Sequence, residues 1–175
     1  MNNNIPWYLL IIALFVLLKF SFSTANNDDI LFLLQPINKL VGFLTGYSSV
    51  YSSETGFYYS QLNVLIDKSC SGFNFGIVCF IMLSTLFVRK INRVSRKIIA
   101  ISTAFICSYI FAVFVTASRI YISIIVQRFY TFFPKEMHSI LHQTIGVLTS
   151  LVFLIFIYYL TEKFLTKKQQ YAKLA

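Results

Sequence analysis

Charge is scarce in this chain. Of its 175 residues only 12% are Asp, Glu, Lys or Arg, about half the ~25% usual in soluble domains, and several long apolar runs accompany the deficit. That composition excludes an ordinary soluble globule and reads as one integral membrane domain spanning residues 1–175. Acidic residues are the scarcest, 6 against 15 basic. The resulting charge of +9 would suit nucleic acid, but the basic residues stand beside apolar runs, where they act as topology signals. No nucleic-acid partner is expected. Cysteine is limited to Cys70, Cys79 and Cys107. An odd number without a C-x-x-C pair excludes a disulfide framework and a dithiol redox motif. Histidine is limited to His138 and His142. Their H-x-x-x-H spacing lacks a third ligand and the H-E-x-x-H of metalloproteases, so no metal and no cofactor are expected. The first residues, Met1 to Asn4, carry none of the positive charge of a signal peptide. This argues for retention of the first helix, although Ser23-Thr24-Ala25 has the small-x-small form of a cleavage site.

What the chain has is apolar sequence, 57% hydrophobic with 19 Phe and 11 Tyr. A membrane-crossing helix needs about 20 mostly apolar residues. Four runs qualify: 6–23, 73–88, 98–118 and 141–160. The expected fold class is therefore an all-α polytopic membrane protein of about four transmembrane helices. Residues 24–69 form an extracytoplasmic segment. Within it Asn26-Asn27-Asp28-Asp29 signals a helix start, and 30–44 reads as an interfacial or re-entrant helix. "GFYYSQLNVLI" has the aromatic and β-branched character of strands, suggesting a small β-hairpin. Residues 120–133, interrupted by Arg128, read as a further interfacial or re-entrant helix, with Arg128 reaching lipid head groups.

Basic residues set the orientation. The 89–97 loop holds five and the 163–175 tail four, together nine of the fifteen, so both belong in the cytoplasm. The second run then travels inward, the third outward and the last inward. Cys70 opens the second run, Arg119 closes the third and His142 opens the last. Distant in sequence, all three fall at one outer membrane face.

A thiol, a guanidinium and an imidazole at one level suit acyl transfer. A base turns cysteine into a nucleophile, a cation stabilises the oxyanion, and histidine hands its proton to the leaving amine. Each residue also has a plainer reading. Cys70 would be a helix-opening cysteine with no role, Arg119 a side chain snorkelling to the interface, and His142 an interfacial histidine bonded to backbone. Charge at membrane depth is costly and usually functional, and convergence on one face favours chemistry. Cys79 and Cys107 lie inside apolar runs and read as small hydrophobes. Asp67 either offsets Lys68 or orients a site group.

At these residues the sequence resembles the exosortase/archaeosortase family, and within it the compact exosortase K branch. The family's C-S-G-hydrophobic motif appears as Cys70-Ser71-Gly72-Phe73. Its N-x-x-R-hydrophobic pattern appears as Thr116-Ala117-Ser118-Arg119-Ile120, with Thr116 in place of the asparagine. Its histidine ahead of a glycine appears as His142-Gln143-Thr144-Ile145-Gly146. The resemblance covers roughly residues 60–160. It implies a membrane cysteine transpeptidase of the bacterial cytoplasmic membrane that cleaves a C-terminal sorting signal. That signal consists of a short motif, a hydrophobic helix and a basic cluster, carried by surface proteins. The new carboxyl end passes to an acceptor nucleophile. It further implies Cys70 as nucleophile, His142 as general acid and base, and Arg119 holding the oxyanion or substrate carbonyl. Ser71 and Gly72 would let the substrate backbone approach, and Tyr58 and Tyr59 would line the cleft for the motif. Membrane lipids are the remaining partner. Three readings compete: a cysteine protease that releases its product to water, a non-enzymatic membrane scaffold, and a quinone-coupled thiol protein, which would need a second outer cysteine.

Overall fold

The computed structural model describes residues 4–91, 93–127 and 135–174, with side chains described over 4–91, 93–127 and 144–167. Among these the chain is mostly helical. It runs α1 (Ile5–Thr24), α2 (Leu31–Thr45), β1 (Val50–Ser52), β2 (Gly56–Tyr59), β3 (Val64–Ile66), a short 3-10 turn (Lys68–Cys70), α3 (Phe73–Lys90), α4 (Val94–Gln127) and α5 (Lys135–Leu174). Four helices are long and apolar enough to cross a membrane: Ile5–Thr24, Lys68–Lys90 with its opening turn, Val94–Gln127 and Thr144–Lys167. Each contains most of one expected run.

The direction of the helices follows from side chains that tie their ends. Lys97, near the start of α4, donates to Asn4 Oδ1 before α1 at 2.5 Å. Lys68, before α3, donates to the Ser23 and Ala25 carbonyls at the other end of α1 at 3.0 and 2.6 Å. So α1 and α4 run one way and α3 the other. Gly146 beside Arg119, and Leu160 and Phe164 in one cavity with Ile91 and Ala100, set α5 parallel to α3. Arg89, Lys90, Arg93, Arg96, Lys97, Lys163 and Lys167 thus gather at one end of the bundle. The 67–72 turn, Arg119 and Gly146 lie at the other.

Small residues bring α3 and α4 together. Gly72 and Gly76 lie one turn apart on a face of α3, and a Cβ on Gly76 would stand 3.1 Å from the Ala112 Cβ. Close backbone approach through a G-x-x-x-G face is a way helices associate where lipid removes the hydrophobic driving force. The core of this half holds Phe75, Cys79, Phe80, Leu83 and Val115, with Ile11 from α1 and Ile157 from α5.

A second core forms where α2 and the sheet wrap the far part of α4. Leu34, Ile37 and Val41 meet Val113, Ala117, Ile120 and Ile124, and Tyr59 and Ile66 close the other side. Pro36 lies inside α2 and cannot donate to the Phe32 carbonyl four residues back. Tyr109 of α4 supplies the donor instead, at 2.7 Å. Gly46, at φ 76°, ends α2 and donates to Gly42 O, the usual left-handed stop.

The sheet has three antiparallel strands in the order β1-β2-β3, one more than a hairpin. Val50 pairs with Tyr58 in β1-β2, and Tyr58 with Leu65 in β2-β3. Asn27 fastens the β1-β2 turn, donating from Nδ2 to the Ser53 and Glu54 carbonyls, while its Oδ1 accepts from Lys68 N. Tyr51 donates its hydroxyl to Asp28, and that carboxylate pushes the phenol up to about 12. The acidic helix-start signal is used elsewhere than at a cap. Asp29 accepts from Asn26 N, and α2 begins without a side-chain cap.

One boundary differs from the sequence reading. Residues 120–127 continue α4 without a break, because Ile120 and Ile124 extend its apolar stripe against α2 and the sheet. The rest of the expected separate helix, 128–133, lies outside the described residues.

Candidate active site

The 67–72 turn is built by Asp67. Its Oδ1 accepts from Ser69 N at 3.0 Å, Ser69 Oγ at 2.6 Å and Cys70 N at 3.3 Å. One carboxylate oxygen therefore holds the turn that presents Cys70, as a side-chain cap satisfies otherwise unpaired N–H groups. Ser69 Oγ also stands 3.8 Å from Cys70 Sγ, but its single hydrogen goes to the nearer carboxylate. Lys68 does not pair with Asp67. It turns back to α1, with its ammonium 5.1 Å from the Phe22 ring centroid.

Ser71 is buried, and Gly72 has φ 67°. An added Cβ there would stand 1.8 Å from Thr116 Oγ1. Only glycine meets both conditions, the left-handed backbone and the contact with α4. Arg119 lies inside α4, two turns before its end, rather than closing the helix. Its guanidinium rests on Gly146 of α5, where a Cβ would come within 2.5 Å of Nε.

These groups share a cavity of about 750 Å³. Asp67, Lys68, Ser69, Ser71, Asn74, Thr116, Arg119 and Ser150 supply its polar lining. Phe22, Phe73, Val78, Val147, Leu151 and Leu154 line the apolar remainder. The walls come from α1, the 67–72 turn, α3, α4 and α5.

Cys70 is half-buried and faces a different space. It lines a groove of about 240 Å³ with Asn63, Val64 and Leu65 on one side and Ile120, Ser123, Ile124 and Gln127 on the other. The turn thus separates two cavities, with Ser69, Ser71 and Gly72 on the large one and Cys70 on the small one. Arg119, Ser71 and Gly72 come together, and Cys70 is their neighbour across the turn. His142 belongs to α5, one turn before Gly146. Its side chain, like that of His138, lies outside the described residues.

Tyr58 and Tyr59 do not line a common cleft. Neighbouring residues of a strand point to opposite faces, so at most one can face a given site. Tyr59 is 1% exposed, and its hydroxyl donates toward Asn38 O and Oδ1, at 2.8 and 2.6 Å. Burial raises its phenol above the ordinary range, partly opposed by a hydrogen bond with Ser49. Tyr58 is exposed and donates to Asn63 Oδ1 at 3.0 Å. Neither touches the large cavity.

Three features of the site carried readable signals that the sequence reading did not use. The D-x-S spacing of Asp67 and Ser69 is that of a self-capped turn. "GFNFG" at 72–76 is the G-x-x-x-G pattern. Gly146 marks where a large side chain from another helix needs room.

Comparison with protein-family models, with curated proteins and with solved structures gives no match.

Proposed function

We propose that this protein is a polytopic enzyme of the bacterial cytoplasmic membrane, an exosortase-like cysteine transpeptidase. It cleaves a C-terminal sorting signal at the outer membrane face and transfers the new carboxyl end to an acceptor nucleophile. The observation that carries the reading is the large cavity beside the 67–72 turn. It is polar at Asp67, Ser69 and Arg119 and apolar along Phe73, Val78, Leu151 and Leu154. A hydrophobic helix seated along these residues finds apolar walls, and a peptide bond just above that helix arrives at the turn that carries Cys70. Gathering of seven basic side chains at the opposite end of the bundle supports the same orientation.

In this mechanism Cys70 Sγ attacks the scissile carbonyl. Its proton passes by way of His142 to the departing amine, the C–N bond breaks, and a thioester remains. Arg119 holds the developing oxyanion. An acceptor nucleophile then attacks the thioester, and the thiol regains its proton. Asp67 positions the nucleophile through the turn.

The test compares wild type with Cys70→Ala, Arg119→Ala and His142→Ala, each shown to be present in the membrane, by mass spectrometry of surface proteins carrying C-terminal hydrophobic tails. Cys70→Ala is expected to leave every dependent tail uncut. Arg119→Ala is expected to slow processing about a hundredfold to a thousandfold, the usual cost of one oxyanion donor. Mass added to the new C-terminus in wild type identifies the acceptor, and an unmodified carboxylate identifies hydrolysis. Equal processing in all four strains overturns the proposal and favours a scaffold.

A further inference from the structure

The groove at Cys70 has an unusual wall. β3 is an outer strand of the sheet, paired only with β2. In the sheet its other edge takes no part in the ladder. Unpaired backbone groups on a strand edge are a template for another strand, and proteins commonly blunt them with charge or proline. β3 reads Val64-Leu65-Ile66, with neither. Val64 and Leu65 line the groove, Ile120, Ser123, Ile124 and Gln127 of α4 form its opposite wall, and Cys70 completes it. The other outer strand, β1, lies two strands away, about 10 Å.

We infer that the open edge of β3 binds the recognition motif of the substrate as an added strand, delivering an extended peptide to Cys70. This rests on the reading of Cys70 as the nucleophile. Three residues of β3 extend about 10 Å, room for about three residues of an added strand. Direction follows from the two cavities. The hydrophobic helix follows the motif in the substrate and belongs in the large cavity beyond the turn, so the motif runs parallel to β3, with its C-terminal end at Cys70. Main-chain hydrogen bonds then supply affinity, and alternate side chains meeting Leu65 and α4 supply selectivity. One substrate thus occupies both cavities, an extended stretch before the turn and a helix after it.

The probe is a small chloromethyl ketone peptide, acetyl-Val-Thr-Val-Ala chloromethyl ketone, applied to the full-length protein in detergent. Cys70 Sγ displaces chloride to form a C–S bond, the thiol proton goes to solvent, and peptide mapping identifies the alkylated cysteine. The tetrapeptide is expected to alkylate Cys70 about tenfold or more faster than acetyl-Ala chloromethyl ketone, as two or three extra backbone hydrogen bonds allow. N-methylation of one alternating set of residues should return the rate to that of the single residue, because those N–H groups face β3. N-methylation of the other set should leave it fast. Equal rates for the two methylated sets, or no advantage of the tetrapeptide, overturn the inference. A difference between the sets, in a protein whose Cys70→Ala variant still processes tails, keeps the peptide-binding edge and removes the thiol from catalysis. Failure here and failure of the proposed function are thereby read separately.

Discussion

At one end of the bundle the helices meet through glycine. Gly72 admits Thr116, and Gly146 admits the Arg119 guanidinium. At the other end α4 reaches the start of α1 through buried Lys97, which donates to Asn4 and lies 5.7 Å from the Trp7 ring centroid. The Gly72 contact, against a short side chain and a helix backbone, has little slack, while the guanidinium at Gly146 is held only as long as that position carries no side chain. A lysine contact ends in four rotatable bonds and tolerates adjustment. The chemistry proposed for the glycine end would need the first kind of order, since a misplacement of 1 Å can cost about a hundredfold in rate. An end that only has to hold a helix and face charged surroundings can use the second.

The largest expected effects break this contrast at its rigid end and distinguish two uses of glycine there. Gly72→Ala forces a left-handed residue to carry a Cβ and drives that Cβ into Thr116. A loss of about 2–4 kcal/mol is expected from the backbone and the overlap together, read as a lowered midpoint of thermal unfolding in detergent. Gly146→Ala differs, because the added methyl meets only a flexible guanidinium. Alanine also favours the helix by up to about 1 kcal/mol. Stability should hold while displacement of Arg119 lowers tail processing about a hundredfold. If Gly146→Ala processes normally, the position of Arg119 has no bearing on activity.

How much of this was readable follows from the same residues. The four long apolar helices were legible because length and hydropathy alone define them. That Cys70, Arg119 and the glycine after His142 lie at one end was legible because helix parity needs no side-chain detail. The end of α4 was not. Arg119 looked like a terminus, since charge usually punctuates an apolar run. The helix continues because Ile120 and Ile124 pack on α2 and the sheet, partners remote in sequence. Nor was the fate of Tyr58 and Tyr59 legible, because an aromatic pair on a short strand does not say which member enters the core. That Cys70 opens on a different space from Ser71 depends on the side-chain directions of a 3-10 turn, which spacing does not encode.

A smaller effect separates the two lysine ties on α1. Lys68 binds two carbonyls at the C-terminal end of that helix, where a cation also complements the helix dipole, and holds Phe22 against the large cavity. Lys97 anchors the opposite end, away from the site. Lys68→Met is expected to lose about 1–3 kcal/mol, typical of hydrogen bonds to charged groups, and to slow processing as the Phe22 wall loosens. Lys97→Met should lose about 1 kcal/mol with processing near that of wild type. Equal effects of the two on processing would mean that the two ends are mechanically coupled through α1, and the contrast between them would be one of packing alone.

The smallest effect concerns the tie that fastens the sheet beside the site, Tyr51 to Asp28. The phenol is pushed up to about 12 from an ordinary value of about 10, so the folded state favours the protonated form. The contribution of this bond is complete below about pH 10 and fades as the pH rises toward 12. Tyrosinate absorbance of wild type minus that of Tyr51→Phe isolates the group, and its midpoint is expected near 12. Asp28→Asn removes the charge that opposes ionisation, and should return the midpoint toward 10. Asp28 is exposed, Tyr51 half-buried and the bond between them at the surface, so the bond adds little to global stability, and its weakening should loosen the β1-β2 turn before the bundle responds. A midpoint near 10 in the unaltered protein would show that Asp28 does not hold Tyr51, leaving Asn27 as the fastening between this turn and the segment that opens α2.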